Sequence, residues 1–557
     1  MFIRITSVAA AGVLLGVMPI AGCSIFRGSD AADQALGEIA TVPKLPRNIA
    51  PAVTPHGMEP MRVTGVGLVN SLGHGGGAPD PSPSRDTLLD DIKRLKIPSS
   101  EQLLESDSNA LVQIEALIPP GARRGDVIDV RVIAPPSANV TDLRGGWLLK
   151  SRLTQQIRVA GGNFGGSNVR KGDVMANAMG LVLTDDIIGS NRDAAARTSG
   201  RVLRGATVAE DRRLGLTIDA ERAHVATAKV IGDAINSRFF FFDGASRRGI
   251  ATPNNDSFIS LDVPPRYEHS LGRLIEVIGE ISLVPGQSVQ NELTRLSAEL
   301  SDPATARRAA VRLEAIGEPA VSTLTAQIAH DDPEIRFYAL TSLAYLDRPE
   351  AVRPLCELIR TQPAFRGPAL LALLGMRDDS VDDGLAELLD ARSAETRYAA
   401  MVILRRRKSP RLVGGGNRRS EFGSFEFYEV GGGQPDGAAA VVASARDQPE
   451  IVLFGQSPRV DIKTFLRTDR GLLVRRNGDA DDSIVVDRFV PGVPDATGRG
   501  KATVSGLIRA AAATGAPYGD VLALLQSAHQ KGVIEIPVML DPLPPSMRTY
   551  HRETSSP

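Results

Sequence analysis

The sequence predicts a mixed α+β protein in which an all-α solenoid interrupts two strand-rich regions. Strand-like alternation fills residues 61–285, a helical repeat fills residues 290–408, and strand alternation returns after residue 421 and ends in a helix pair. A chain of 557 residues is too long for one hydrophobic core, so several folded units are expected.

The first 22 residues have the pattern of a secretory signal. Arg4 precedes an apolar run from about residue 8 to residue 20, which is too short to span a bilayer. The run ends in IAGC (20–23), which resembles the lipobox of bacterial lipoproteins. This resemblance implies that Cys23 is the lipidated first residue of the mature chain. Ser24, rather than Asp, follows Cys23, which in lipoproteins is typical of sorting to the outer membrane. A plain secretory signal whose cleavage site lies beside a cysteine is the alternative.

Residues 23–60 are rich in small residues and proline without a sustained period, which predicts a flexible tether. Strand-like runs at 110–120 and 125–136 then end in prolines, as expected for the α+β region 61–285. Residues 217–236 switch to helical spacing. We expect Ala223, Ala226, Val230 and Ala234 to share one face of that helix.

The region 290–408 repeats a two-helix unit about every thirty residues, four times. Asp302-Pro303 and Asp332-Pro333 open two of the units, where Asp can cap a helix and Pro fits its first turn. Such a repeat predicts an α-solenoid, and the units resemble HEAT repeats. The repeating positions are Ala309, Ala339, Ala369 and Ala400, each followed four residues later by Leu313, Leu343, Leu373 and Leu404.

After the solenoid we expect a linker (409–420), a second strand-rich region (421–548) and a tail (549–557). The segment RRRK (405–408) is interpreted as a solvated helix end. Cys356 lies in an amphipathic helical pattern, which predicts a buried thiol rather than a nucleophile. Near the end of the chain, TVSGLIRAAAATG and YGDVLALLQSAHQ predict two helices followed by the short strand VIEIPVML.

No motif in the sequence nominates an enzyme, a cofactor or a metal. The glycine-rich stretch 65–81 has Asn70 where a dinucleotide fingerprint needs its third glycine, and it lacks the lysine of a P-loop. His74 within it has no second histidine at ligand spacing, and NGDADD (477–482) lacks EF-hand spacing. A net charge of −1 and 4% aromatic residues give no case for nucleic acid.

Several segments resemble the bacterial flagellar P-ring protein family, in the family's order. They are RVTGVGLVNSLGHGGG, NALVQIEALIPPGARRGDVIDVRV, TDLRGGWLLKSRL, GRVLRGATVAED, ATAKVIGDAINSRF and the C-terminal helix pair. The resemblance covers roughly 61–285 and 450–540. The family-motif residues are Gly65, Gly67, Leu68, Gly73, Pro119, Pro120, Gly125, Asp126, Gly145, Gly146 and Gly205.

The resemblance implies P-ring-type α+β domains and a structural protein of the basal body, without catalytic residues. It implies a homo-oligomeric periplasmic ring around the flagellar rod, beneath the L-ring, with peptidoglycan nearby. The motif glycines would then serve backbone turning rather than ligand chemistry.

The chain departs from the family pattern in three ways. Its N-terminus implies lipidation, Val66 stands at the family's tyrosine and GGG replaces its T-G-D, and the solenoid is an insertion. Because solenoids usually bind other proteins through their extended surface, we expect this one to recruit an unknown protein. The simpler alternative is that the solenoid is a spacer that widens the ring. A non-flagellar envelope adaptor lipoprotein is the second functional hypothesis, and a cell-wall glycan hydrolase, which needs a carboxylate pair, is the third.

Overall fold

The computed structural model describes residues 43–94, 100–158, 169–189, 193–244, 246–284, 288–412, 418–431, 438–478, 482–491, 493–545 and 550. The elements below all belong to the compact unit Leu45–Pro557. The signal sequence, Cys23 and most of the predicted tether lie outside the described residues, as does the tail apart from Tyr550.

The first strand-rich region extends from Val53 to Gly279. Its strands are β1 (Val53–His56), β2 (Met61–Asn70), β3 (Ala110–Ile118), β4 (Val127–Ile133), β5 (Trp147–Arg158), β6 (Val169–Leu181), β7 (Leu183–Thr184), β8 (Ser199–Val208), β9 (Leu214–Ile218), β10 (Phe240–Asp243), β11 (Ser246–Gly249), β12 (Ala251–Pro253) and β13 (Phe258–Leu261). Its helices are α1 (Pro83–Arg94), α2 (Ser100–Glu105), α3 (Asp185–Ile188), α4 (Ala194–Arg197), α5 (Val225–Arg238) and α6 (Leu271–Gly279).

Six antiparallel strands of this region close into a barrel. The strand order is β4-β3-β2-β5-β6-β8, and β4 also pairs with β8, which completes the ring of hydrogen bonds; β7 adds to β8 at one end. Alternation along β2 and β3 divides the side chains: Val63 and Val112 point into the barrel core, while Leu68 and Leu111 face α1 and α2 on the outside. Because all six strands are paired on both edges, the barrel has no free edge among them.

A smaller antiparallel sheet, β1-β9-β13-β12, lies beside α5 and α6. Its first strand falls within the predicted tether: Val53 to His56 pairs with β9, and Ile49 before it is fully buried. The tether therefore ends earlier than residue 60, because Ile49 and Ala52 are apolar enough to join the core of this sheet.

The prediction for residues 217–236 was wrong in two respects. Leu214–Ile218 is a strand and the helix starts only at Val225, after His224, whose ring accepts from the amide of Ala226. The buried face carries Ala228, Ile231 and Ile235, whereas Val230 of the predicted face is 40% exposed. Small alanines on several faces made the sequence pattern ambiguous, and the two isoleucines decide the orientation because they bury more apolar surface.

The solenoid is formed as predicted. Its helices are α7 (Val289–Leu300), α8 (Ala306–Ile316), α9 (Val321–Thr325), α10 (Pro333–Tyr345), α11 (Val352–Thr361), α12 (Arg366–Gly375), α13 (Ser380–Leu388) and α14 (Ala394–Arg406). The first helices of successive units, α8, α10, α12 and α14, pack on one another in turn. All eight repeating alanines and leucines are fully buried at these contacts.

The two Asp-Pro dipeptides behave differently. Asp332 caps α10, with its side chain accepting from the amide of Glu334 at 2.8 Å and Pro333 at the first position. Asp302 does not cap α8, which begins four residues later; its side chain instead accepts from the amide of Ala304 in the preceding turn.

The solenoid shares one continuous hydrophobic core with both strand-rich regions. The same cluster contains Leu216 of β9, Tyr267 before α6, Leu343 of α10 and Phe454 in the C-terminal region. The inserted helices are therefore built into the fold rather than attached to its surface.

The C-terminal region holds two further sheets and the helix pair. Its elements are β14 (Arg418–Phe422), β15 (Phe425–Val430), β16 (Ala440–Ala443), β17 (Glu450–Phe454), β18 (Phe465–Arg467), β19 (Leu472–Arg476), β20 (Ser483–Arg488), β21 (Ala496–Lys501), α15 (Val504–Ala513), α16 (Tyr518–Gln530) and β22 (Val538–Leu540). The first sheet is mixed, in the order β14-β15-β17-β16-β22, and the second is an antiparallel meander of β18 to β21.

The predicted helix pair is confirmed. Val504, Leu507 and Ile508 of α15 are fully buried, as are Val521 and Leu524 of α16. Within the described part of the chain, no helix combines the length and the apolar character that crossing a bilayer requires.

Candidate functional site

The first glycines of the stretch 65–81 lie inside strand β2, where it approaches β5. A Cβ atom on Gly65 would lie 2.4 Å from the carbonyl oxygen of Arg152, and one on Gly67 would lie 2.4 Å from the hydroxyl of Ser151. The register between β2 and β5 shifts in this segment, between Thr64 and Val69. Gly65 is required because the backbone of β5 comes closer than any side chain permits, and Gly67 leaves room for the side chains of Ser151 and Ile114.

The later glycines of this stretch form a loop that is tied to its neighbours by its own amides. The amides of Gly75, Gly76 and Gly77 donate to the carbonyl oxygens of Leu72, Asp107 and Asn109 at 2.9, 2.7 and 3.0 Å. A phosphate cradle needs such amides to be free and aimed at the ligand. The amides of Gly75, Gly76 and Gly77 are instead used within the fold.

His74 stands at the exposed tip of this loop. Its Nδ1 lies 2.7 Å from a carboxylate oxygen of Asp107, and this hydrogen bond lowers the pKa of Asp107. No group of three or more potential ligands that could hold a metal ion occurs among the described residues. The turn NGDADD (477–482) falls partly outside them.

The motif residues between β3 and β4 form a braced turn. Pro119 and Pro120 follow β3, Gly125 adopts φ +95°, and the carboxylate of Asp126 accepts from the amide of Arg123 at 2.7 Å. The amide of Gly125 also donates to Val208 of β8. This turn thus holds β4 in position to close the barrel.

The remaining motif residues also serve packing and turning. Leu68 packs against α1, Gly73 and Gly145 have positive φ, and a Cβ on Gly146 or Gly205 would collide with a buried valine at 2.4 to 2.5 Å. These observations agree with backbone roles, and they leave the motif residues at several places around the barrel rather than in one cavity.

A buried ionic cluster joins the first region to the solenoid. Glu314 of α8 has no exposed surface; its carboxylate accepts from Tyr267 at 2.7 Å and from two nitrogens of Arg273 of α6 at 2.6 and 3.1 Å. Although burial alone lowers the pKa of Arg273, the charge and hydrogen bonds of Glu314 outweigh it and raise that pKa. The paired charges fix the angle between α6 and α8.

A second cluster joins the solenoid to the C-terminal region. Glu450 at the start of β17 is fully buried, accepts from Tyr398 at 3.0 Å and pairs with Arg405 at 3.2 Å, both residues of α14. Burial raises the pKa of Glu450 to about 7, although the charge of Arg405 and the bond from Tyr398 act in the opposite direction.

The interpretation of RRRK as a solvated helix end was wrong for Arg405 and Arg407, whereas Arg406 and Lys408 are exposed. Besides Arg405, Arg407 is largely buried and donates to Asp382 and to the carbonyl oxygen of Met376. Arg406 pairs with Asp447 of the C-terminal region. These carboxylates lie far away in the sequence, so the run itself gave no sign of them.

A third cluster joins the barrel to the C-terminal helix pair. Arg470, which is almost fully buried, donates to both carboxylate oxygens of Asp186 in α3 at 2.8 Å and lies 3.5 Å from Asp520 of α16. Cys356 is buried in the solenoid, and burial raises the pKa of its thiol to about 12, in agreement with its predicted structural role.

Two family models match separate parts of the chain, one the first strand-rich region and the other the solenoid. A family model described as flagellar P-ring protein matches residues 48–292, which contain the barrel and the smaller sheet. The chain is 30% identical to the flagellar P-ring protein of Thermotoga maritima over 253 residues, which are 43% of this chain and 68% of that protein. The corresponding proteins of Geobacter sulfurreducens and Paramagnetospirillum magneticum are 24% and 26% identical and are covered over 62% and 61% of their lengths.

The chain belongs to the flagellar P-ring protein family. The resemblance stated from the sequence motifs is thereby confirmed, and so is the inserted segment, because a model of HEAT repeats matches residues 321–405. The match to the P-ring model begins at residue 48, close to the buried Ile49 and well before the predicted boundary at residue 61.

The barrel carries an exposed apolar patch on β5 and β6. Trp147 and Leu149 flank the buried Leu148 on β5, and Met179 precedes Gly180, the partner of Leu148 on the neighbouring strand β6. The side chains of Trp147, Leu149 and Met179 are 42%, 37% and 54% exposed. Trp147 is the only tryptophan of the chain and directly follows the motif glycines 145–146.

Sequence reasoning missed this patch and the three ionic clusters. Three apolar residues follow one another in GWLLKSRL, and because side chains alternate along a strand they cannot all face the core, which could have indicated the patch. The partners of Glu314, Glu450 and Arg470 come from distant segments, and a single sequence contains no signal of such pairing.

Proposed function

We propose that this chain is a structural subunit of the periplasmic P ring, which forms a ring around the rod of the flagellar basal body. The observation that carries the proposal is family membership through residues 48–292, which span the whole barrel and the smaller sheet. The family is a structural component of the flagellum, so the subunit acts by assembly rather than by catalysis.

Ring formation needs a heterologous contact, in which one surface of a subunit meets a different surface of the next and the rotation closes. The patch of Trp147, Leu149 and Met179 supplies an apolar surface for such a contact, with a tryptophan of the kind that dominates interface energies. The rod and L-ring proteins are the expected neighbours of the ring, and peptidoglycan is the surrounding layer.

The decisive experiment is electron microscopy of basal bodies purified from cells with and without this gene. Loss of a periplasmic ring in the deletion, restored by the wild-type gene, supports the proposal. An intact ring refutes it and favours the second function, an envelope adaptor that keeps the P-ring fold and binds a partner through the HEAT repeats matched at 321–405.

The ring contact is tested by a charge placed in the patch. Met179→Arg is expected to abolish oligomers in analytical ultracentrifugation, because a guanidinium in a closed apolar contact is buried without a partner. Val225→Arg, at a 68% exposed apolar position of α5, is the matched control and should assemble normally. Assembly of both variants to the same extent would exclude the patch from the contact.

In this proposal Cys23 carries the lipid that holds the subunit at the outer membrane and confines its search for neighbours to two dimensions. Cys23→Ser is expected to move the protein from the membrane fraction to the soluble periplasmic fraction, with unchanged thermal unfolding. Cys356→Ala removes the chain's other cysteine and should stay with the membrane. A Cys23→Ser protein that remains membrane-bound would refute lipidation at this residue.

A further inference from the structure

A cleft of about 880 Å³ opens where the P-ring fold meets the solenoid. The turn after β3, the segment before β9 and the hairpin of β10 and β11 form its walls on the family side, while the solenoid contributes Tyr345 and Arg377. Its volume is in the range of ligand-binding clefts. Because one wall belongs to the inserted helices, the complete cleft depends on the insertion.

The cleft is strongly basic in a chain that is nearly neutral overall. Seven arginines and two aspartates line it, so positive side chains outnumber negative ones by five among the lining residues. The guanidinium groups of Arg123, Arg213 and Arg377 have no hydrogen-bond or ion-pair partner within the described part of the chain, and all three residues are exposed. Unpaired guanidinium groups that line one cleft repel one another, so an anion bound in the cleft is favoured.

Two other arginines that line the cleft are already paired within the chain. Arg266 binds Asp347 at 2.8 Å and the carbonyl oxygen of Tyr345 at 2.8 Å, and Arg238 donates to the carbonyl oxygen of Glu314. The hydrogen-bond donors of these two arginines are thus satisfied by a carboxylate and by backbone carbonyl groups, which are groups that a bound polypeptide would also offer.

An aromatic hairpin forms one side of the cleft. Phe240 and Phe241 of β10 line it and are 42% and 43% exposed, and the neighbouring Phe242 is 68% exposed. The guanidinium of Arg247 lies 3.8 Å from the ring centre of Phe240, which keeps that ring upright beside the cavity. Exposed phenylalanines are costly in water and contribute nothing to the binding of a simple inorganic anion.

We propose that this cleft binds an acidic segment of a partner protein, with arginines pairing its carboxylates and the β10–β11 hairpin covering an adjacent apolar side chain. Arginine and aromatic residues together are the composition of protein–protein hot spots, whereas a polyphosphate chain would use the charges alone. The proposal concerns the cleft itself and holds whether the chain builds the flagellar ring or serves as an adaptor.

The test uses the purified full-length chain in detergent and three fluorescein-labelled nine-residue peptides. The first peptide contains four Glu and two Phe, the second replaces each Glu by Gln, and the third replaces each Phe by Ser. Fluorescence anisotropy is expected to show binding of the first peptide that weakens with added salt, with a loss of at least tenfold for the second peptide and several-fold for the third. Equal binding of the first two peptides would overturn the proposal.

Variants locate the binding. Arg377→Glu and Arg213→Glu are each expected to weaken binding of the first peptide at least tenfold, while Arg353→Glu leaves it unchanged. Arg353 is an exposed arginine of α11 outside the cleft, so this control carries the same charge change on the solenoid. Equal loss in all three variants would indicate non-specific attraction and refute the site; thermal unfolding of each variant confirms that it is folded.

Two competitors separate the alternative ligands. Polyphosphate and a fifteen-nucleotide oligo-dT are added to the complex of the chain with the first peptide. Displacement by the unlabelled first peptide at lower concentration than by either competitor supports a polypeptide ligand. Displacement by oligo-dT or polyphosphate at lower concentration would replace the proposal with a nucleic-acid or phosphate-polymer site.

Discussion

Replacing Arg273 by Met tests whether the P-ring fold and the solenoid are held together by the buried charge of Glu314. In the wild-type chain that carboxylate has no exposed surface and accepts from two nitrogens of Arg273 and from Tyr267. The methionine fills most of the volume of the arginine but leaves the carboxylate with one hydrogen bond. Removing one partner of a buried ion pair costs about 3–5 kcal/mol, because the other charge stays buried and uncompensated.

The same two helices supply a matched control. Arg307 of α8 pairs with Glu276 of α6 at 2.5 Å, but the two side chains are 63% and 44% exposed. An exposed pair contributes about 0–1 kcal/mol, since water already solvates both charges. Arg307→Met is therefore expected to be nearly neutral.

Urea unfolding followed by circular dichroism, together with hydrogen exchange of the amides in α6 and α8, measures both variants. We expect Arg273→Met to lower the midpoint of the first transition and to speed exchange in these helices, and Arg307→Met to change neither. The double variant Arg273→Met/Glu314→Leu should recover much of the loss, because an apolar pair can replace a buried ion pair. Equal stability of Arg273→Met and the wild type would refute the reasoning, as would an equal loss in Arg307→Met.

Two further predictions concern Glu450, between the solenoid and the C-terminal region, and Gly65, inside the barrel. The pKa of Glu450 is raised from 4.5 to about 7 in the fold, so its contribution is fully present below about pH 4.5 and is lost as the pH rises through 7, at a cost of about 3 kcal/mol. Glu450→Gln should flatten the stability profile between pH 5 and 8 in thermal unfolding; an unchanged slope would show that Glu450 does not titrate there. Gly65→Ala should destabilise the chain by about 1–3 kcal/mol, because its Cβ meets the backbone of β5. Gly272→Ala, in open space on α6, is its control and should be neutral or slightly stabilising; similar losses in both would contradict the close-approach argument.

Much of the fold follows from local patterns in the sequence. The solenoid was predictable because each unit must bury the same face against the next, which keeps Ala309 and its counterparts small and Leu313 and its counterparts apolar at a fixed spacing. The C-terminal helix pair was predictable for a similar reason, since its apolar residues recur with helical period and a Gly-containing turn separates the helices.

The features that join the regions were not predictable from one sequence. Closure of the barrel depends on the pairing of β4 with β8, which lie some seventy residues apart. The alternation of apolar residues in a strand indicates which face is buried, but it does not indicate which other strand pairs with it. The run RRRK was misread because Asp382 and Asp447 are brought to it only by the folded chain. For the same reason the basic cleft escaped notice: Arg123, Arg213 and Arg377 come from three distant loops.

The solenoid and its two flanking regions share one continuous core, so the inserted helices move together with the rest of the fold. A force applied to α12 or α14 is transmitted to the rest of the fold through packed side chains and through the ion pairs of Glu314 and Glu450. Deleting residues 290–408 would expose Tyr267 and Phe454, which pack in the core shared with the solenoid. We therefore expect such a deletion to unfold the flanking regions rather than to leave them intact. A protein bound to the solenoid would therefore be held at a set angle and distance from the barrel.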